Sequence, residues 1–142
     1  MNNFGINDVD LENWLVKINK VFYDKIFNDK WLGQVFKGID QNFIQSQQTD
    51  FMLGAMGGPK RYSGRSPDQA HPHIFISEEM WQHRENLLKL SFAELSVPEL
   101  IEDRWLKIDQ AFKAKIVMTE QSQCKPRYAV DEFIIIPRPK EF

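Results

Sequence analysis

At 142 residues the chain has the length of one domain, enough to bury a proper core, and its 18 basic and 20 acidic residues leave a formal charge of -2. That balance gives no electrostatic reason to expect nucleic acid or an anionic membrane as partner. The single cysteine, Cys124, excludes an internal disulfide, and with no signal-peptide pattern in Met1-Asn2-Asn3-Phe4 and no bilayer-length apolar run a cytoplasmic protein is expected.

Leu11, Trp14, Leu15, Ile18, Val21, Phe22 and Ile26 recur three and four residues apart, the spacing of one helical face. Asn7 or Asp10 can cap this helix, and Asn28-Asp29-Lys30 interrupts it. Trp31, Leu32, Val35 and Phe36 predict a shorter turn closed by Gly38. Asp40 then caps a helix carrying Phe43, Ile44, Gln47, Gln48, Phe51, Met52 and Met56, with both methionines read as core. Gly57-Gly58-Pro59 ends it, because glycine tolerates positive φ and proline cannot continue a helix.

Ser66-Pro67-Asp68-Gln69 predicts a helix start with a capping box, and Pro72 stops that helix after one or two turns. His71 therefore stands at the end of a stiffly framed short helix. Ile74-Phe75-Ile76 reads as an extended link. Ser77-Glu78-Glu79 opens a helix whose acidic residues suit the positive end of its dipole, and which carries Met80, Trp81, Arg84, Leu87, Leu88, Ser91 and Leu95. Val97-Pro98-Glu99 starts the last long helix, with Ile101, Trp105, Ile108, Phe112 and Ile116 as its stripe.

After about Thr119 the chain turns irregular, and Phe133-Ile134-Ile135-Ile136 reads as a short extended tail whose isoleucines either cover a core edge, the favoured reading, or form a subunit contact. The expected division is a domain over 1–119 and an extension over 120–142. No internal repeat, Gly-rich phosphate loop, Cys-pair zinc pattern or Gly-flanked serine elbow is present. On residue type alone, His73 is a solvated loop histidine, His83 a helix-surface group and Cys124 an inert thiol. His71 is either a capping or surface group or an axial ligand to haem iron, since one imidazole suffices when a porphyrin supplies the other four nitrogens.

Several segments, in order, resemble the truncated (two-over-two) haemoglobins. Phe22-Tyr23-Asp24-Lys25-Ile26 is similar to that family's Phe-Tyr pair in the second helix. Val35-Phe36-Lys37-Gly38-Ile39-Asp40 resembles the segment bearing its haem-contacting phenylalanine. Gln47-Gln48-Thr49-Asp50-Phe51, Gly57-Gly58-Pro59 and Arg61-Tyr62-Ser63-Gly64-Arg65 continue the match, and Ala70-His71 falls where the family places its proximal histidine. The resemblance covers roughly Leu11 to Val117. It implies an all-α, globin-like helical sandwich with a short C-terminal extension, binding haem b.

Under that resemblance His71 ligates the iron, and Phe36, Ile44, Phe51, Arg61, Tyr62, Arg65 and Ile76 surround the cofactor. Tyr23 and Gln47 or Gln48 are the polar groups on the ligand side. The chain lacks the glycine pair that usually links the first two helices, so those are expected to run nearly continuously. His83 and Arg84 fall near a position where the family often has an apolar or tryptophan residue in the pocket. The implied ligands are O2 and NO, and the implied chemistry is NO or peroxide detoxification with an electron-donor protein. Two alternatives stay open: a haem-based gas sensor with the tail as output, and a globin-shaped interaction module without haem.

Overall fold

The computed structural model describes residues 5–141. Met1 to Phe4, on which the absence of a signal peptide was argued, and Phe142 of the extension lie outside the described residues. The architecture is helical: α1 (Asp8–Asn28), α2 (Leu32–Val35), α3 (Gln41–Ala55), α4 (Pro67–Ala70), α5 (Glu78–Leu95) and α6 (Glu99–Ile116), followed by a 3-10 turn at Gln121–Gln123. Among the described residues there is no strand, only one parallel bridge pairing Ile74 with Ile134. No described helix is long and apolar enough to cross a membrane.

Without a glycine pair, α1 runs unbroken for 21 residues. Asn7 caps it by accepting from the Val9 amide at 2.7 Å, which leaves Asp10 inside the first turn. One face of α1 buries Leu11, Leu15, Ile18, Phe22 and Ile26, and it packs against both α3 and α5. Burying each such side chain contributes roughly 1.5–3 kcal/mol, so this stripe organises the molecule. Met52, Leu53 and Met56 meet it from α3, Leu88 and Phe92 from α5, and Ile101 and Trp105 from α6. Asn19 is also fully buried, and its amide donates to Thr49 Oγ1 at 2.9 Å, joining α1 to α3.

Helix ends follow local chemistry. Asp40 accepts from the Asn42 and Phe43 amides at the start of α3. At its end the Gly57 amide bonds Gly54 O and the Gly58 amide bonds Leu53 O, with Gly57 at φ +90°. That left-handed residue is why glycine is required there. The capping box expected at Ser66 does not form: Ser66 makes no side-chain cap, and its hydroxyl hydrogen-bonds the Asp68 carboxylate instead. Pro67 still starts α4, and Pro72 limits that helix to four residues.

The segment after α6 packs back on the link that follows α4. The Ile134 amide donates to His73 O and the Phe75 amide to Ile134 O, both at 2.9 Å. Trp31 Nε1 donates to Ile136 O at 3.0 Å, and Ile134 and Ile136 lie against the core.

Candidate functional site

His71 caps the C-terminus of α4, and its placement is local. Four residues earlier Pro67 offers its carbonyl, and His71 Nδ1 lies 2.6 Å from it. A carbonyl only accepts, so Nδ1 carries the proton and Nε2 keeps its lone pair. Burial is the main cause that holds the imidazole pKa below its ordinary value, and the Pro67 carbonyl opposes it. The result is a neutral imidazole whose Nε2 lone pair is not used by the contact to its own helix.

Tyr23 sits in the second turn from the end of α1. It is buried, edge-on to Phe22 at 5.1 Å and to Phe36 at 5.9 Å between ring centroids, with Phe27 and Phe36 5.3 Å apart. Burial pushes the phenol up to about 12, with Arg84 opposing and Asp109 reinforcing. Among the described residues the hydroxyl makes no hydrogen bond. It is therefore a protonated donor that no described protein group accepts from.

The remaining expected residues divide. Ile44, Gln47 and Gln48 are half-buried on α3. Ile44 and Gln48 are four residues apart, one above the other on the same face. Phe51 lies edge-on to Tyr62 at 5.4 Å and to Phe112 at 6.0 Å. Tyr62 donates to Arg65 O at 2.5 Å, and the Arg65 guanidinium lies 4.6 Å from the Tyr128 ring centroid. Ile76 packs against the core from the link, and its carbonyl accepts from the Met118 amide. Arg61 is directed elsewhere: it makes a bidentate pair with Glu12 at 2.7 and 2.8 Å.

Two readings from residue type are corrected. His73 is not solvated but buried, 6% exposed, because the tail closes over it; burial lowers its pKa. His83 is not a plain surface group: its Nε2 lies 2.8 Å from Asp29 Oδ1 and its ring stacks on Trp31. Asp29 in turn accepts from the Trp31 and Leu32 amides, so the same carboxylate starts α2 and holds His83. Cys124 is buried with its thiol pKa raised by burial, and the sulfur lies 3.8 Å from Met118 Sδ.

A buried charge cluster had no counterpart in the sequence reading. Arg84 Nη1 donates to Asp109 Oδ2 and to Glu85 Oε1, both at 2.9 Å, while its guanidinium lies 5.0 Å from the Trp81 ring and 5.4 Å from Phe22. Its charge bears on both Tyr23 and His71. Burial and the neighbouring Asp109 push Glu85 up to about 7. The signal available was Asp109 itself, a carboxylate four residues after Trp105 and next to Ile108 in an apolar stripe.

These groups fit an iron porphyrin. In kind, the chain presents a neutral imidazole with one nitrogen outside the Pro67 contact, a phenol without a described protein acceptor, and an aromatic group of Phe27 and Phe36 beside that phenol. The sequence profile described as Bacterial-like globin matches residues 7–118. A group 1 truncated haemoglobin of Tetrahymena pyriformis is 27% identical over 97 residues, covering 68% of this chain and 80% of that protein. One from Tetrahymena thermophila is 27% identical over 81 residues, 57% of this chain and 67% of the relative. The crystal structure of the T. pyriformis protein in its Fe(III) form superposes with a TM-score of 0.68 at 22% identity, covering 79% of this chain and 98% of that one.

Proposed function

Because the chain belongs to the bacterial-like globin family, we propose that it binds haem b through His71 and takes O2 or NO beside Tyr23, in the service of NO or peroxide detoxification. The observation that carries this reading is the 2.6 Å contact from His71 Nδ1 to Pro67 O. It commits the tautomer and the ring orientation, and a metal-ligating histidine depends on such a partner for both. A bound haem would supply an iron able to take a diatomic ligand and exchange electrons.

The chain's own groups do the rest. Tyr23 holds its proton across the physiological range and offers it to a ligand carrying partial negative charge. Gln48, and Gln47 beside it, offer amide donors from α3. Each such bond in a site shielded from water contributes about 1–1.5 kcal/mol, which is close to tenfold in ligand release. Slow release disfavours oxygen delivery and favours chemistry on the retained ligand. Phe36, Ile44, Phe51 and Ile76 exclude water. Arg65, anchored on Tyr128, and Tyr62 are the groups that would meet the cofactor's carboxylates, and Arg61 would join them only by leaving Glu12. Turnover needs an external electron donor.

Titrating haemin into the purified chain tests the reading. A Soret band that saturates at one equivalent, and that is lost or altered in His71→Ala, is the expected result. A chain that stays colourless, or an unchanged spectrum in the variant, overturns it. Mixing NO with the reduced, air-equilibrated protein and assaying nitrate then tests the detoxification step.

A further inference from the structure

The helix that carries His71 is four residues long. One turn of helix is marginal by itself, so something else must hold this stretch in place. The local contacts are the Gln69 and Ala70 amides on Ser66 O, the His71 Nδ1 contact to Pro67 O and the Ile74 amide on His71 O. Beyond the histidine, the backbone is held by residues from the far end of the chain. The Lys125 amide donates to Pro72 O at 2.8 Å, the Ile134 amide to His73 O at 2.9 Å, and the Phe75 amide to Ile134 O at 2.9 Å. The Met118 amide completes the row on Ile76 O at 2.8 Å.

The same segment is anchored independently at three other places. Tyr128 lies under the Arg65 guanidinium, Ile136 O accepts from Trp31 Nε1, and Arg138 pairs with Glu79 at 2.9 Å. It therefore grips the loop before α4, the link after it and the first turn of α5. The family match ends at residue 118, so nearly all of these contacts lie outside it.

We propose that the segment from Thr119 to Glu141 is a positioning clamp for His71, which through the backbone of Pro72 and His73 sets how Nε2 meets the iron. The inference rests on the haem reading above. Lys125, Ile134 and Trp31 act through His71 and are positioning residues. Displacing the segment releases the backbone on one side of the histidine and weakens the iron–imidazole bond, so a partner that captured the tail would change the haem.

The cleanest test removes one amide hydrogen. Cys124 is extended, at φ -62° and ψ 139°, the conformation preferred before proline, so the preceding residue suits Lys125→Pro, which loses the donor. Lys125→Ala keeps the donor and serves as control. Both are compared with the haem-loaded full chain by the iron–histidine stretching frequency of the reduced protein and by haem transfer to excess apomyoglobin.

The expected result is a lower frequency and about 5- to 10-fold faster haem loss in Lys125→Pro, the equivalent of one hydrogen bond, with Lys125→Ala unchanged. The frequency is the deciding readout, because a loss of stability alone does not move it. If Lys125→Pro does not recover wild-type helical circular dichroism, Trp31→Phe carries the same two measurements, since it keeps a ring against His83 while losing the bond to Ile136 O. A folded variant with unchanged frequency and haem loss overturns the clamp. A full chain without a Soret band overturns the haem reading first, so the two failures are told apart.

Discussion

Tyr23 and His71 are both kept neutral by burial, and neutrality has opposite uses in the two. For His71 it frees a lone pair; for Tyr23 it retains a hydrogen-bond donor. The phenol, near 10 in an unfolded chain, is pushed up to about 12. Between those values the unfolded chain has already released the proton and the folded one has not. The unfolded state thus binds fewer protons, and stability falls as pH rises through that window. The contribution is present below pH 10 and reaches about 2–3 kcal/mol before it is lost. Urea unfolding from pH 9 to 12 is expected to show a shallower decline in Tyr23→Phe than in wild type. Equal slopes would mean that the hydroxyl is solvated. The same variant, loaded with haem and reduced, is expected to release O2 about tenfold faster by stopped flow. Tyr23 was legible in the sequence as one of a Phe-Tyr pair. That its hydroxyl lacks a protein acceptor was not, because an acceptor can come from any residue the fold brings near.

At the level of elements, local signals worked where the competing chemistry was also local. Asn7, Asp40 and Ser77 cap their helices because their side-chain oxygens reach amides two or three residues on. The capping box at Ser66 failed for an equally local reason, since Asp68 takes the hydroxyl. The end of α5 carried no warning. Ser96 adopts φ 52°, with its amide on Ala93 O and the Val97 amide on Phe92 O. A left-handed residue there is normally glycine, and a side chain in that conformation costs about 1 kcal/mol. Ser96→Gly is expected to raise the urea midpoint by the equivalent of about 0.5–1 kcal/mol at unchanged m-value, and a lower midpoint would mean that the serine side chain stabilises the turn.

Across the whole molecule, α5 and α6 are joined by charge as well as by Phe92 and Trp105, whose rings meet edge-on at 5.8 Å. Arg84 satisfies Asp109, and Glu85 shares the arrangement only by holding a proton near neutrality. Its folded pKa lies above the unfolded one, so its contribution to stability is complete below about pH 4.5 and is lost as pH rises through about 7. Glu85→Gln, which stays neutral and can still donate to Asp109, is expected to gain about 2 kcal/mol over wild type at pH 8 and little at pH 5, read as the difference in melting temperature. A gain independent of pH would remove the shared proton from the account. Helix stripes and breaks were readable in advance because periodicity and proline act over a few residues, and the ordered motifs carried the family. The tail over His73, the Arg84 cluster and the stack of His83 on Trp31 were not, because each joins residues far apart in the chain. Which of many polar side chains loses its water, and which partner then replaces it, depends on how the helices pack.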